Sequence, residues 1–293
     1  MKILITGATG FIGTELMRYL SKKKYNVHGI SSQKSKTTKI LTISLLDKKL
    51  LDQHFRKNTY DVVIHLAALI EHKNPLELYQ INCQATLNIL ESCRLNNIKK
   101  FIFTSSQAVY GNSQYLPIDE EHPLQPTSNY GLTKLIAENI TKLFHFSYKL
   151  NIFNLRLSSV YGINQPRERI ISAMILHALK RKKMILHQYQ NGFQLMDFIH
   201  VDDVCQAIEL SCKSIQKSGI YNIASGKPIT VQEIAKIISS ITGFDMWEIR
   251  KVKNETNHFF YNTNKAKKYL RFRPKYLVNE KSIFQMIHNF ENS

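Results

Sequence analysis

The chain has 293 residues, 43% of them hydrophobic, enough for one large α/β domain with an added lobe. No run of about 18 apolar residues occurs, which argues against a membrane-spanning helix, and four scattered cysteines without C-x-x-C spacing predict a reduced, cytoplasmic protein. Forty Lys and Arg against 22 Asp and Glu give a net charge of +18, which suits an anionic partner, whether phosphorylated ligand or nucleic acid, and equally suits lysines spread over a solvated surface.

From the amino end, short β-branched runs alternate with helix-like segments. Strands are predicted over residues 2–6, 26–30, 39–44, 61–66, 100–105 and 152–157, and helices over 11–20, 75–97 and 128–150. This is the pattern of a doubly wound parallel sheet, Rossmann-like, with ligand held beyond the strand C-terminal ends. A first strand beginning at Ile3 leaves no room for a removable leader, a further reason to expect the cytoplasm. Between the first strand and helix lies Thr6-Gly7-Ala8-Thr9-Gly10-Phe11-Ile12-Gly13. Glycines three apart allow a tight turn, close approach of a pyrophosphate and close helix packing, and the helix N-terminus offers free N–H groups to the anion.

The strand over 100–105 runs into Ser106, and Tyr130 and Lys134 follow, four residues apart and so on one helix face. A phenol ionises near pH 10; a nearby ammonium favours the phenolate and fits Tyr130 for general acid/base work. The same spacing also describes a packed aromatic beneath a lysine stem, so the pair gains weight from its place downstream of the glycine turn. His65 and His200 lack the carboxylate or histidine spacing of a metal site, and no metal is expected.

After residue 157 the order loosens. A helix is predicted over 167–181, short strands over 184–187 and 196–200, and a seventh strand of the sheet over 219–224. Thr230 and Glu233 then open a helix in capping-box spacing, and helices follow over 264–270 and 282–290. Residues 1–160 are expected to form the dinucleotide-binding domain, with 196–226 returning to its sheet. Residues 161–293 are expected to form mainly a smaller, mixed α/β substrate-binding lobe.

These motifs together give the chain its resemblance. It resembles the extended short-chain dehydrogenases, the NAD-dependent epimerase/dehydratase family, along essentially its whole length. The matching residues are the glycine turn, His65-Leu66-Ala67-Ala68, Asn82 with Thr86, the Thr-Ser-Ser strand end with Val109-Tyr110-Gly111, and Tyr130-x-x-x-Lys134. The match continues through Leu155–Gly162, Asp197–Asp203 and Tyr221-Asn222-Ile223. The resemblance implies a catalytic Ser106, Tyr130 and Lys134, with cofactor along Gly7, Gly10, Phe11, Ile12, Gly13, Leu66, Ala67 and Ala68 and at Tyr130 and Lys134. It further implies a nucleotide-linked sugar at Ser106, Tyr130, Ser159 and Met196, and a homodimer.

Three departures from the family bear on the chemistry. Past the second strand, Ser31, Ser32 and Lys34 stand where NAD-using members carry a ribose-binding carboxylate, which favours NADP over NAD as cofactor. Met196 replaces the Arg that contacts the substrate diphosphate, and no second such Arg is evident near 253–256. Gln107 and Ala108 stand where 4,6-dehydratases carry two acidic residues, which removes dehydration. The expectation is therefore a C4 redox enzyme on a nucleotide-linked hexose, a 4-epimerase or a 4-keto reductase. The alternatives are a reductase of non-nucleotide substrates and a non-catalytic dinucleotide-sensing or nucleic-acid-binding protein. Neither nucleic acid nor a membrane is expected as a partner.

Overall fold

The computed structural model describes residues 1–70, 74–216, 218–245 and 247–292. In the first half, β1 (Lys2–Thr6), β2 (Asn26–Ser31), β3 (Ile40–Thr42), β4 (Val62–His65), β5 (Lys100–Ser106) and β6 (Asn151–Leu157) alternate with helices. These are α1 (Phe11–Lys22), α2 (Lys48–Lys57), α3 (Pro75–Tyr79), α4 (Ala85–Leu95) and α5 (Asn129–Tyr148). Ile3, Leu4 and Ile5 are all fully buried, because a central parallel strand is covered by helices on both faces. Each such side chain contributes roughly 1.5–3 kcal/mol by leaving water. Leu16, Val204 and Ile208 cover one face of the sheet, and Ile89, Leu90 and Phe144 cover the other.

The helix predicted over 75–97 is interrupted by a π-helical turn at Gln80–Gln84. α2 was not predicted; Asp47 caps it through the Leu50 N–H, and its inward face is only Leu51, His54 and Phe55, too narrow a stripe to read from sequence.

The second half contains β7 (Ser159–Tyr161), α6 (Ile170–Leu179), β8 (Met184–Gln188), β9 (Leu195–Met196), β10 (Phe198–His200) and α7 (Val201–Lys213). Then come β11 (Gly219–Ile223), β12 (Ile229–Thr230), α8 (Val231–Thr242), β13 (Trp247–Lys251), α9 (Asn264–Tyr269) and α10 (Glu280–Glu291). β11 returns to pair with β6, completing a seven-stranded sheet of order β11-β6-β5-β4-β1-β2-β3 in which every pair is parallel. The short strands pair as β10 with β7, β12 with β9 and β13 with β8. α6, α8 and α10 share a separate core that includes Ile171, Ile175, Ile234, Ile238, Ile283 and Met286.

Two predicted elements differ here. The helix expected over 167–181 starts only at Ile170, since Arg169 is extended (φ −73°, ψ 143°), and Arg181 turns left-handed (φ 52°) just past its end. The strand expected over 196–200 is split at Asp197, whose buried carboxylate accepts from the Ser225 N–H and hydroxyl and from the Gly226 N–H at 2.6–3.0 Å. No described helix is long and apolar enough to cross a membrane.

Candidate active site

A cavity of about 510 Å³ is lined by the ends of β5 and β6 and by the loops that follow β1 and β4. It lies where the chain switches direction across the sheet. Gly7, Gly10, Phe11, Ile12 and Gly13 line one side. Gly7 has φ +70°, and a Cβ there would meet the Ala67 backbone nitrogen at 2.7 Å, so a residue with a side chain would push the turn off the loop after β4. α1 has no side-chain cap, which leaves its first-turn N–H groups to an incoming anion. His65 bridges Thr6 and Thr86 at 2.6 and 3.0 Å. Burial pushes its pKa down to about 3, so it is a neutral spacer of the core.

On the other side, Ser106 ends β5, and its Oγ accepts the Ala108 N–H at 3.1 Å. Ser128 caps α5 by accepting the Gly131 N–H at 3.1 Å. A Cβ on Gly131 would come within 2.3 Å of the Ala108 carbonyl oxygen. This close approach sets the first turn of α5, with Tyr130, against the turn that follows Ser106. Burial raises the Tyr130 phenol above its ordinary pKa, while a hydrogen bond from Ser106 and the charge of Arg169 pull it down. Lys134 is 2% exposed, with its ammonium 4.2 Å from the centre of the Phe103 ring. Burial lowers its pKa to about 7, against the opposing pull of Glu138 and Cys83. Arg169 is thus a cation acting on Tyr130 that the helical spacing of Tyr130 and Lys134 did not announce.

The π-helical turn has a purpose visible here. Asn82 donates to the Leu69 carbonyl at 2.8 Å and to Thr133 Oγ1 at 2.9 Å, and accepts the Leu69 N–H at 2.8 Å. It thereby ties the loop carrying Leu66 and Ala68 to α5, one residue before Lys134. Behind the site, Glu138 takes two hydrogen bonds from Arg156, at 2.8 and 3.0 Å, and one from Ser105. Arg156 also donates to Tyr110 and to the Glu120 carbonyl at 3.1 and 3.2 Å. This buried network fastens β5, β6 and α5 together.

The remaining wall comes from Ser158, Ser159 and Val160, from Gln165, Glu168, Arg169 and Ile170 at the start of α6, and from Met196 and Phe198. Gln107 is held between two hydroxyls: its Nε2 donates to Ser159 Oγ at 3.1 Å, and its Oε1 accepts from Tyr261 at 2.6 Å. Lys134 and Arg169 are the two basic side chains lining the cavity among the described residues.

Of the residues singled out in the sequence, Gly7, Gly10, Phe11, Ile12, Gly13, Leu66, Ala68, Ser106, Tyr130, Lys134, Ser159 and Met196 meet in this one cavity. Ala67 backs the glycine turn. Ser31, Ser32 and Lys34 lie outside the lining, around the end of β2. Ser31 Oγ is hydrogen-bonded to Thr9 Oγ1 at 2.6 Å and accepts the Gln33 N–H at 3.0 Å, while Ser32 and Lys34 are exposed. Glu120 accepts the Asn222 N–H at 2.7 Å and stands outside the cavity lining. Gln165, Glu168, Arg169, Phe198 and Tyr261 were missed; a stretch read as helix conceals Arg169, and Tyr261 reaches Gln107 from 154 residues away.

No cluster of three His, Cys, Asp or Glu placed to hold a metal occurs among the described residues. The cavity fits the dinucleotide that the glycine motif predicts. Its turn is free of side chains at the point of approach, and the wall offers the Ser158 hydroxyl, 5% exposed and without a partner among the described residues.

Comparison with known proteins bears on this geometry. The sequence profile of the NAD-dependent epimerase/dehydratase family matches residues 3–224. The chain is 37% identical over 257 residues to a putative UDP-glucose 4-epimerase of Methanocaldococcus jannaschii, covering 83% of each protein. It is 31% identical over 271 residues to a dTDP-D-glucose 4,6-dehydratase of Dictyostelium discoideum, covering 82% of this chain and 62% of that one. Among solved structures it is similar to MoeE5 in complex with UDP-glucuronic acid and NAD, with a TM-score of 0.88, 26% identity, and coverage of 100% and 99% of the two chains.

Proposed function

The chain belongs to the NAD-dependent epimerase/dehydratase family and has the fold of the extended short-chain dehydrogenases, and from that premise we propose that it is a 4-epimerase of a nucleotide-linked hexose. The observation that carries the reading is the meeting of Ser106, Tyr130 and Lys134 in one cavity with the glycine turn. The residues at 1–160 and β11 would hold the dinucleotide, and the remainder would form most of the sugar-nucleotide wall.

When bound, the nicotinamide supplies reversible hydride exchange at the sugar's C4. Tyr130 takes and returns the proton of the C4 hydroxyl. Ser106 holds that oxygen against Tyr130 while the carbon changes between alcohol and ketone. Lys134, with a pKa near 7, gains charge when an anionic dinucleotide is brought close, and then favours the phenolate. Arg169 and the first turn of α6 supply the positive potential for the substrate diphosphate that Met196 does not. Gln107 does not titrate and Ala108 has no polar group, so those two positions supply no second proton-transfer pair for loss of water at C5–C6.

One observation favours a second reading, a 4-keto reductase supplied by NADPH: Ser32 and Lys34 are exposed beside β2 with no carboxylate to reject a 2′-phosphate. We further place the enzyme in the cytoplasm, where its four unpaired cysteines stay reduced, and read it as a homodimer. Exposed Leu87 and Leu95 on α4, and Leu132, Leu143 and Phe146 on α5, offer the apolar surface for the latter.

The test is incubation with UDP-, GDP-, CDP- and dTDP-hexoses, products being followed by NMR and retained cofactor by mass spectrometry. Interconversion of C4 epimers without added cofactor supports the epimerase. Net oxidation of NADPH by a 4-keto sugar, without interconversion, supports the reductase. Absence of both reactions across the panel refutes the proposal, and a product 18 mass units lighter would require an acid/base pair not assigned here.

A further inference from the structure

Three polar side chains outside the Ser106–Tyr130–Lys134 set form a directed chain into the cavity. Tyr261 comes from the segment after β13, 4% exposed and packed with Val109, Tyr110 and Ile118. Its position is fixed by backbone hydrogen bonds on either side, Ile118 N–H to the Phe260 carbonyl and Asn262 N–H to the Ile118 carbonyl, at 2.9 and 2.8 Å. From there its hydroxyl donates to Gln107 Oε1 at 2.6 Å. At 2.6 Å that contact has the length of an O–H···O bond, which sets Oε1 toward Tyr261 and leaves Nε2 to donate to Ser159 Oγ at 3.1 Å. Gln107 and Ser159 line the cavity; no acceptor for the Ser159 proton lies among the described residues.

The polarity follows from the donor inventory. A hydroxyl oxygen that already accepts from an amide N–H has its own proton free to point away from it. We infer that Tyr261, acting through Gln107, fixes Ser159 as a hydrogen-bond donor toward an oxygen of the sugar, which makes Tyr261 a positioning residue for the reaction. The inference rests on the nucleotide-sugar reading above. The group recognised is an acceptor oxygen, a hydroxyl or the carbonyl formed when the sugar is oxidised. A rotating serine would pay an orientational cost at each turnover; one held by a buried amide does not. The chain also gives the C-terminal segment a direct hydrogen-bonded path to the residue beside Ser106.

A double-mutant cycle of Tyr261→Phe and Ser159→Ala tests this, read in kcat and KM for the sugar nucleotide that the wild type turns over, with thermal unfolding as control. Each single change should lower kcat/KM about tenfold, the scale for one positioned hydrogen bond. Once Ser159 is gone, Tyr261→Phe should cost less than about a further twofold, because the path it serves is absent. Gln107→Glu gives a second handle. A carboxylate accepts from both hydroxyls and turns the Ser159 proton inward, so activity should fall at least as far as in Ser159→Ala. Losses that multiply in the double mutant, or a Tyr261→Phe enzyme with wild-type kcat/KM, overturn the inference. A wild-type protein inert toward every nucleotide sugar would instead refute the functional reading, and the inference would fall with it.

Discussion

The two sides of the cavity are built by different means. The side that would face the dinucleotide uses contiguous stretches: the turn from Gly7 to Gly13, the loop from Leu66 to Ala68, and one helix turn from Tyr130 to Lys134. The side that would face the sugar is assembled from the end of β6, the start of α6, Met196 beside Asp197, and Gln107, which Tyr261 braces from outside the lining. The first is fixed by spacing within a segment, the second by which distant segments happen to meet. A short segment with defined spacing places atoms for chemistry that does not change. A wall made of separate loops can be altered piece by piece, as recognition demands.

If that division is right, variants on the first side should strike turnover and variants on the second should strike binding. The largest effect is expected at Tyr130. Tyr130→Phe should lower kcat by two to four orders of magnitude while KM stays within about threefold; retention of a tenth of wild-type kcat would break the assignment. Next is the frame behind the site. Glu138→Gln leaves Arg156 as an uncompensated charge at a position 1% exposed, and should cost about 3–5 kcal/mol of stability in chemical denaturation. A loss below about 1 kcal/mol would mean that the network does not hold β5, β6 and α5 together.

Arg169→Met, on the sugar side, should raise KM about tenfold while the pH-independent kcat changes little. It carries a second signature: because the Arg169 charge holds the Tyr130 pKa down, its removal should move the Tyr130 limb of the pH–rate profile upward. A fall in kcat with unchanged KM would put Arg169 on the chemical side and blur the contrast. The smallest effect is expected far from the cavity, at Glu209. Burial would raise its pKa, but hydrogen bonds from Lys213, Lys23 and Tyr19 bring it down to about 2. A folded-state pKa below the unfolded value, about 4.3, contributes stability above that value and loses it as pH falls toward 2. Thermal midpoints of the wild type and Glu209→Gln should therefore converge on acidification over that range; parallel curves would show that the cluster contributes nothing measurable.

What the sequence revealed follows the same division. The six strands of the first half and the return of β11 were legible because buried parallel strands read as apolar runs, and glycine spacing fixes the turn whatever lies around it. Ser106, Tyr130 and Lys134 were legible as a pattern, but their electrostatics were not. The field at a phenol depends on which charges surround it in space, and Arg169 stands extended just before α6, in a stretch that reads as helix. Asp197 split an expected strand because its carboxylate is captured by Ser225 and Gly226, and no periodicity reports a side chain claimed by backbone 28 residues away. Tyr261 lay beyond any local signal for the same reason.

The return of β11 has a consequence for cutting the chain. After β6 the polypeptide leaves the sheet, builds part of the outer wall, comes back through α7 to lay down β11 beside β6, and leaves again. A fragment ending at residue 160 would keep the glycine turn, Tyr130 and Lys134, yet would expose the full edge of β6, from Phe153 to Leu157, with its hydrogen-bonding groups unpaired. Such a bare edge is a template for pairing with a second copy. The half of the protein that reads as self-sufficient is thus the half that would aggregate when expressed without the other.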